Sequence, residues 1–527
     1  MPDRRSLLAG AAGLLAAPAL AQTGAAATLR MVPQADVTVL DPLATTSYAV
    51  RNHGHLCWDT LYGLDAGYRP QPQLAEGHVV EDAGRRWIVT LRSGPTFHDG
   101  EPIRATDAVA SIRRWMGRDT HGQTLAARLD AIAALDDRRF EIRLRQPFGV
   151  MLDALGKSSS YPCFIMPERF AARPAAAPLT EIVGSGPYRF EAAERRAGEQ
   201  LVYRRYDRYL PSPVGQPAVT AGPKLALFER LEWRILPDAA TTAAALQRGE
   251  VDWWERVTPD LRPLLARRRD LVLDRVETLG TMAMLRPNHL HPPFDDPAVR
   301  RAVLPALSQA DFMAALFGDE RGLWRDGVGC FPPGSALASE EGLAALTSPR
   351  DLGRARAALA ATGQARAKMV MLHPADQQTN SALTMVADDL LRKIGFEPED
   401  ATSDWGTMLQ RRAKKEPPAQ GGWNAVVVLF GAEDLLNPGG HPLLRANGGD
   451  AWFGWPSSPA LEALRDDWLA EPDLAGQQRT ARRIQAQFFT DLPYWPLGLY
   501  QVDSAYRRGL KVERRGLALP LNVRREA

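Results

Sequence analysis

Residues 82–109 read DAGRRWIVTLRSGPTFHDGEPIRATDAV, from Asp82 to Val109. The alternation Trp87-Ile88-Val89-Thr90-Leu91-Arg92 predicts a strand with one buried face. Gly94-Pro95 and Asp99-Gly100 predict turns, and Thr106-Asp107 predicts the start of a helix. No nucleophile with a partnered base lies in the segment, so His98, beside the Asp99-Gly100 turn, is read as a scaffold histidine. Outward from this stretch, strands and helices alternate. Strands are expected at Thr28 to Val32, Phe140 to Leu144, Leu201 to Tyr203, Leu231 to Leu236, Lys368 to Leu372 and Ala425 to Phe430. Helices are clearest at Thr241 to Arg248, Arg350 to Ala361, Thr379 to Ile394 and Leu474 to Phe489. Such alternation points to α/β domains.

Further marks follow in order along the chain. They are Leu40-Asp41-Pro42, Leu74-Ala75-Glu76, Gly184-Ser185-Gly186-Pro187-Tyr188-Arg189-Phe190, the run Leu246-Gln247-Arg248-Gly249-Glu250-Val251-Asp252, and Pro293-Phe294-Asp295-Asp296 leading to Val299-Arg300-Arg301-Ala302-Val303. Their local physics is legible without any relative. Gly249 caps the end of an Ala-rich helix, and Asp295-Asp296-Pro297 is a helix N-cap with proline in the first turn. Taken together with residues 82–109, the series resembles the oligopeptide, dipeptide and nickel type of solute-binding protein of bacterial ABC importers, family 5. The resemblance implies a two-lobed clamp of the type II, cluster C periplasmic binding protein kind, with an extra subdomain inserted in the first lobe. Glycine/proline-rich crossings near Ala66, Gly184, Pro287 and Pro493 divide it. The expected partition is a signal peptide at 1–21, lobe I at 22–65, an inserted subdomain at 66–183, lobe I again at 184–287, lobe II at 288–492, and a last piece of lobe I at 493–527.

The N-terminus carries Arg4-Arg5, an apolar Leu7 to Leu20 and the small-residue site Ala19-Leu20-Ala21, which would leave Gln22 as the mature end. The apolar run is shorter than the ~20 residues a membrane helix needs. Arg4-Arg5-Ser6-Leu7-Leu8 fits a twin-arginine or a Sec signal, and no cysteine stands at the cleavage site, so a free periplasmic protein is expected. Lys+Arg 64 against Asp+Glu 62 is near balance over 527 residues, which implies neither nucleic acid nor an anionic membrane as partner. Three cysteines, Cys57, Cys163 and Cys330, are too widely spaced for a disulfide framework and are read as buried thiols.

Catalytic signatures are missing: Ser185 between two glycines lacks the strand-to-helix elbow of a hydrolase, and there is no P-loop, H-E-x-x-H or dinucleotide fingerprint. His53, His55 and Cys57 alternate as metal ligands on one strand face would, but nothing nearby in sequence completes a site, and no metal or cofactor is expected. The aromatic residues are more informative, since rigid rings make good cleft walls. Of 13 tryptophans, Trp405, Trp423 and Trp455 fall in second-lobe segments and Trp253-Trp254 follow the G-E-x-D turn. These five, with Tyr48, are candidate ligand contacts. Asp434 in Leu429-Phe430-Gly431-Ala432-Glu433-Asp434 follows a strand end, where clefts in α/β lobes open, and the resemblance implies an aspartate there for a ligand ammonium, with Glu433 competing. The function so implied is capture of a peptide or peptide-like solute for inner-membrane ABC permease subunits, by a monomer without catalysis. The alternatives are a metal-chelate or haem binder to which His441 contributes, an opine or sugar binder on the same fold, and a secreted enzyme.

Overall fold

A computed structural model describes residues 27–526 apart from Ala176, Pro178, Thr180, Pro237, Ser348 and Pro472. The export segment expected at residues 1–21 lies outside the described residues. Among these the chain builds three main sheets. The first has seven strands in the order Leu271–Asp274, Ser504–Arg507, Trp253–Trp254, Thr28–Val32, Arg230–Arg234, Gln200–Arg205 and Tyr188–Phe190. The second has six, in the order Trp324–Arg325, Trp495–Tyr500, Thr281–Pro287, Ala425–Gly431, Lys368–Pro374 and Glu397–Ser403. A four-stranded antiparallel sheet, Ala75–Glu81, Arg86–Leu91, Arg139–Leu144 and Leu129–Ala134, forms the inserted unit. Thr28–Val32 runs parallel to both of its neighbours, as Lys368–Pro374 does to its own, so both large sheets are mixed. This is the two-lobed α/β clamp that the motifs implied.

Strand Arg86–Leu91, at the heart of the opening stretch, alternates half-buried and buried residues as its sequence does. Its helix covers Ala105–Met116, where Asp107 at the third position accepts the Arg104 amide at 2.8 Å. Gly249 ends helix Ala239–Arg248 with φ 76°, and Asp296 caps Pro297–Val303 by accepting the Ala298 amide at 2.7 Å.

Hydrogen bonding puts the crossings between the two large sheets at 275–280 and 501–503, outside the lobe II span of 288–492. Strands Thr281–Pro287 and Trp495–Tyr500 both belong to the second sheet. Of the prolines that suggested boundaries, Pro287 is the last residue of its strand and Pro493 lies two residues before strand Trp495–Tyr500, so both flank strands of the second sheet.

The motif residues are ties between distant segments. Asp41 meets Arg114 at 2.6 Å with both side chains buried, binding the start of lobe I to the first helix of the inserted unit. His98 accepts the Gly184 amide at 3.2 Å and bonds the Gly186 carbonyl at 3.0 Å, so the two glycine-rich signatures are one joint, and burial lowers its imidazole to about 4. Asp252 accepts from the Arg30 amide at 2.9 Å and from Arg525 at 3.0 Å. Asp59 is buried against Lys224 at 2.6 Å. In the second lobe Arg286 donates to the carbonyls of Phe453, Leu443, Pro493 and Trp452 at 2.8–3.1 Å.

Candidate functional site

Where the lobes face each other, helix Tyr48–Cys57 of lobe I meets the loop that follows strand Ala425–Gly431 of lobe II. A glycine fits the loop start, because a Cβ at Gly431 would lie 2.7 Å from the Glu433 carboxylate. The Tyr48 hydroxyl donates to Asp434 and accepts the Gly431 amide at 2.8 Å, and Arg51 meets Glu433 at 2.5 Å. Asp434 also accepts the Ser160 amide at 3.1 Å. Burial, against the pull of Arg51, pushes the Glu433 carboxyl above its ordinary range. Burial together with the Asp434 and Glu433 charges holds the Tyr48 phenol well above its own.

Beside this contact lies a cavity of about 630 Å³ lined from both sides. Lobe I and the inserted unit supply Tyr68, Arg69, His121, Asp153, Lys157 and Ser158, and the crossing 275–280 supplies Thr278 and Leu279. Lobe II supplies Arg325, Ser335, Glu433, Asp434, Asn437 and Trp468. Four lining side chains hold buried polar atoms with no partner among the described residues: His121 Nδ1, Ser158 Oγ, Ser335 Oγ and the indole Nε1 of Trp468. Such orphans also occur in the core, at His55, Trp233 and Trp253 among others, but four gathered on one cavity give it polar groups free for a guest.

His121 also crosses the cleft. Its Nε2 lies 3.1 Å from Asn437 Oδ1, and its ring abuts Gly439 and Gly440, where a Cβ would stand 2.8 Å and 2.7 Å from ring atoms. Burial lowers this imidazole to about 4, so it is neutral at pH 7.

Of the residues singled out by sequence, Glu433 and Asp434 line the cavity and Tyr48 joins them. The tryptophans do not. Trp253 is buried in the lobe I core against Tyr506, with ring centroids 6.0 Å apart. Trp423 is buried under the second sheet, its indole donating to the Arg412 carbonyl at 3.0 Å, and buried Trp455 packs on it at 6.0 Å. Trp405 starts helix Trp405–Arg412, half-buried and away from the cavity. Trp254 lines a different inter-lobe space of about 690 Å³ with Gln34, Arg256 and Asn380. The aromatic residues of the cavity that sequence reasoning missed are Tyr68 and Trp468, the latter near the end of helix Pro459–Ala470, where nothing local distinguishes it.

The metal-like trio falls on a helix rather than a strand: His53 bonds Tyr203 at 3.0 Å, and His53, His55 and Cys57 are core. His441 is likewise buried, between the Cys330 carbonyl and the Tyr494 hydroxyl at 3.1 and 3.0 Å, which leaves the chelate reading without its ligand. Cys57, Cys163 and Cys330 are buried and unpaired. Ser185 accepts the Asp59 amide at 3.0 Å and faces a carbonyl, a structural role. Among the described residues no helix is long and apolar enough to cross a membrane.

Residues 69–433 match the family model described as bacterial extracellular solute-binding proteins, family 5, middle. A probable peptide ABC transporter periplasmic-binding protein of Sinorhizobium fredii is 34% identical over 513 residues, covering 96% of this chain and 95% of the relative. Among solved structures, the PBP AgaA of A. tumefaciens in complex with agropinic acid superposes with a TM-score of 0.78 at 20% identity, over 95% of this chain and 99% of that one. A dipeptide-binding protein of Pseudoalteromonas in complex with Met-Leu gives 0.76 at 18%, over 95% and 100%. At those identities the two structures show a shared fold.

Proposed function

The chain belongs to family 5 of the bacterial extracellular solute-binding proteins, and from that premise we propose that it is the periplasmic binding component of an ABC importer. It closes on a peptide or peptide-like solute between its lobes and passes it to permease subunits in the inner membrane, as an exported monomer that catalyses no reaction. The observation that carries this is the inter-lobe cavity with its four orphaned polar atoms. A volume of about 630 Å³ lies within the ~300–1,000 Å³ of sites that enclose small ligands, which suits a solute of a few residues. The peptide named for the relative at 34% identity supports the same class. Closure is a population shift, because a solute that touches both lobes when they are together, and one when they are apart, favours the closed form.

The test is thermal unfolding and small-angle scattering with a pool of di- and tripeptides. Binding should stabilise the fold by ~2.7 kcal/mol at a hundredfold excess over Kd and reduce the radius of gyration. A pool that leaves both unchanged would overturn the proposal.

A further inference from the structure

The charged groups on the cavity divide into those already engaged and those that are not. Glu433 is held by Arg51, Asp434 accepts from Tyr48 and Ser160, and Lys157 is paired with Asp119. Asp153, on helix Met151–Gly156, lines the same cavity with no hydrogen bond or ion pair to another residue among those described, the one polar group acting on it being its own backbone N–H. Two guanidiniums on the cavity are equally uncommitted: Arg69 on the turn before strand Pro70–Pro72, and Arg325 on strand Trp324–Arg325 of the second sheet, neither with a carboxylate partner among the described residues. A bare carboxylate in a cavity is costly until a cation arrives, and a guanidinium fork matches a carboxylate in shape and charge.

We propose that Asp153, rather than the already engaged Asp434, anchors the ammonium of the solute, and that Arg69 and Arg325 receive its carboxylate. The solute is therefore a zwitterion with a free amine, and a short peptide with unblocked ends fits. The assignment rests on the cavity being the binding site of a peptide-like solute and adds which groups read its two ends. It also gives closure a cause, since the ammonium is held from the inserted unit and the carboxylate partly from lobe II, so both ends are bound together only when the lobes meet.

The other groups on the cavity that carry or can gain charge near neutral pH are Arg69, His121, Lys157, Arg325, Glu433 and Asp434. None of them shifts it. Burial pushes its carboxyl up to about 6 against its own N–H. An arriving ammonium favours the charged form, so binding near pH 6 should release a proton.

Calorimetric titration with the di- and tripeptide pool, its N-acetylated counterpart and its C-amidated counterpart tests this. In the wild type acetylation should weaken binding at least tenfold, and binding at pH 6 should release a measurable fraction of a proton, read from buffers of different ionisation enthalpy. Asp153→Asn should lose at least tenfold for the free pool, bind the acetylated pool as the wild type does, and lose the proton release. Amidation should likewise weaken binding to the wild type, and Arg325→Gln should shrink that penalty, Arg69 keeping the remainder. Asp153→Asn should melt no lower than the wild type, because it removes an unpaired charge, and Asp153→Ser repeats the measurement should it not fold. If Asp153→Asn binds like the wild type with the acetylation penalty intact, the anchor is elsewhere while the peptide reading stands. If no form of the pool binds the wild type, both fall.

Discussion

The joints of the frame and the cleft between the lobes follow opposite rules. At the joints each charged group has a partner, although Arg114 and Arg525 each keep one unpaired Nε: Asp41 with Arg114, Asp59 with Lys224, Asp252 with Arg525 and the Arg30 amide, Arg286 with four carbonyls. On the cleft, Asp153 is bare, and His121, Ser158, Ser335 and Trp468 hold polar atoms that nothing among the described residues completes. A satisfied buried network fixes one arrangement of the chain, whereas an unsatisfied one waits for a guest. The residues by which this family is recognised are therefore the closed joints, and the residues that should select a solute carry no motif at all.

Breaking a joint should have the largest effect. Asp41→Ala strands the buried Arg114 guanidinium and should cost ~3 to 5 kcal/mol in urea unfolding, while the molecules that remain folded bind the peptide pool within about twofold of wild type. A matching fall in affinity would erase the distinction between frame and cleft. Acid should act next, because burial lowers His98 and His121 to about 4 and both must stay neutral in the fold. Below about pH 6.5 the unfolded chain binds protons that the folded one refuses, so stability should be full above that pH. It should fall toward pH 4 by up to ~1.4 kcal/mol per histidine per unit. His53 and His441, lowered to about 3, add to the fall, while the raised carboxyls of Asp153 at about 6, Glu255 at about 7, Glu433 and Asp107 work in the opposite direction. A flat profile between pH 7.5 and 5 in urea titrations would contradict the neutral joints. The smallest effects form a pair. Trp468→Phe trims the ring and removes the orphaned N–H, so it should weaken peptide binding by ~0.5 to 1.5 kcal/mol, with a stability loss of ~1 kcal/mol from the trimmed ring. Trp423→Phe removes a satisfied N–H as well as ring volume in the core, so it should lower stability by ~1 to 2 kcal/mol and leave peptide binding nearly unchanged in the same two assays.

What the sequence made legible was local. Strand Thr28–Val32 and helices Gln378–Ile394 and Leu474–Asp491 follow from periodicity and caps, which neighbouring residues set between them. Asp434 was found because the end of a central strand opens on a cleft. The alternation of His53, His55 and Cys57 was read with a strand in view, but on helix Tyr48–Cys57 the spacing means something else, and His53 and Cys57 share a face four residues apart. Tryptophan was informative in number and not in direction: Trp423, Trp455 and Trp253 face cores, because burying a large ring is worth as much inside a lobe as inside a cleft. Arg69, Asp153, Arg325 and Trp468 come from four distant parts of the chain, and only the fold brings them to one cavity.

The two adjacent glycines at 439 and 440 carry a consequence for closure. With no side chain there, the lobe II loop leaves a slot into which the His121 ring fits as the lobes come together. A single methyl group at Gly440 would stand 2.7 Å from that ring, closer than atoms pack, and would act as a doorstop. The joints would remain intact and the cavity's chemistry unaltered, yet the clamp would rest ajar, and every solute would bind more weakly by the same factor whatever its ends. Selectivity and grip are in this way separable: the first resides in charges on the cavity wall, the second in an empty space two residues wide.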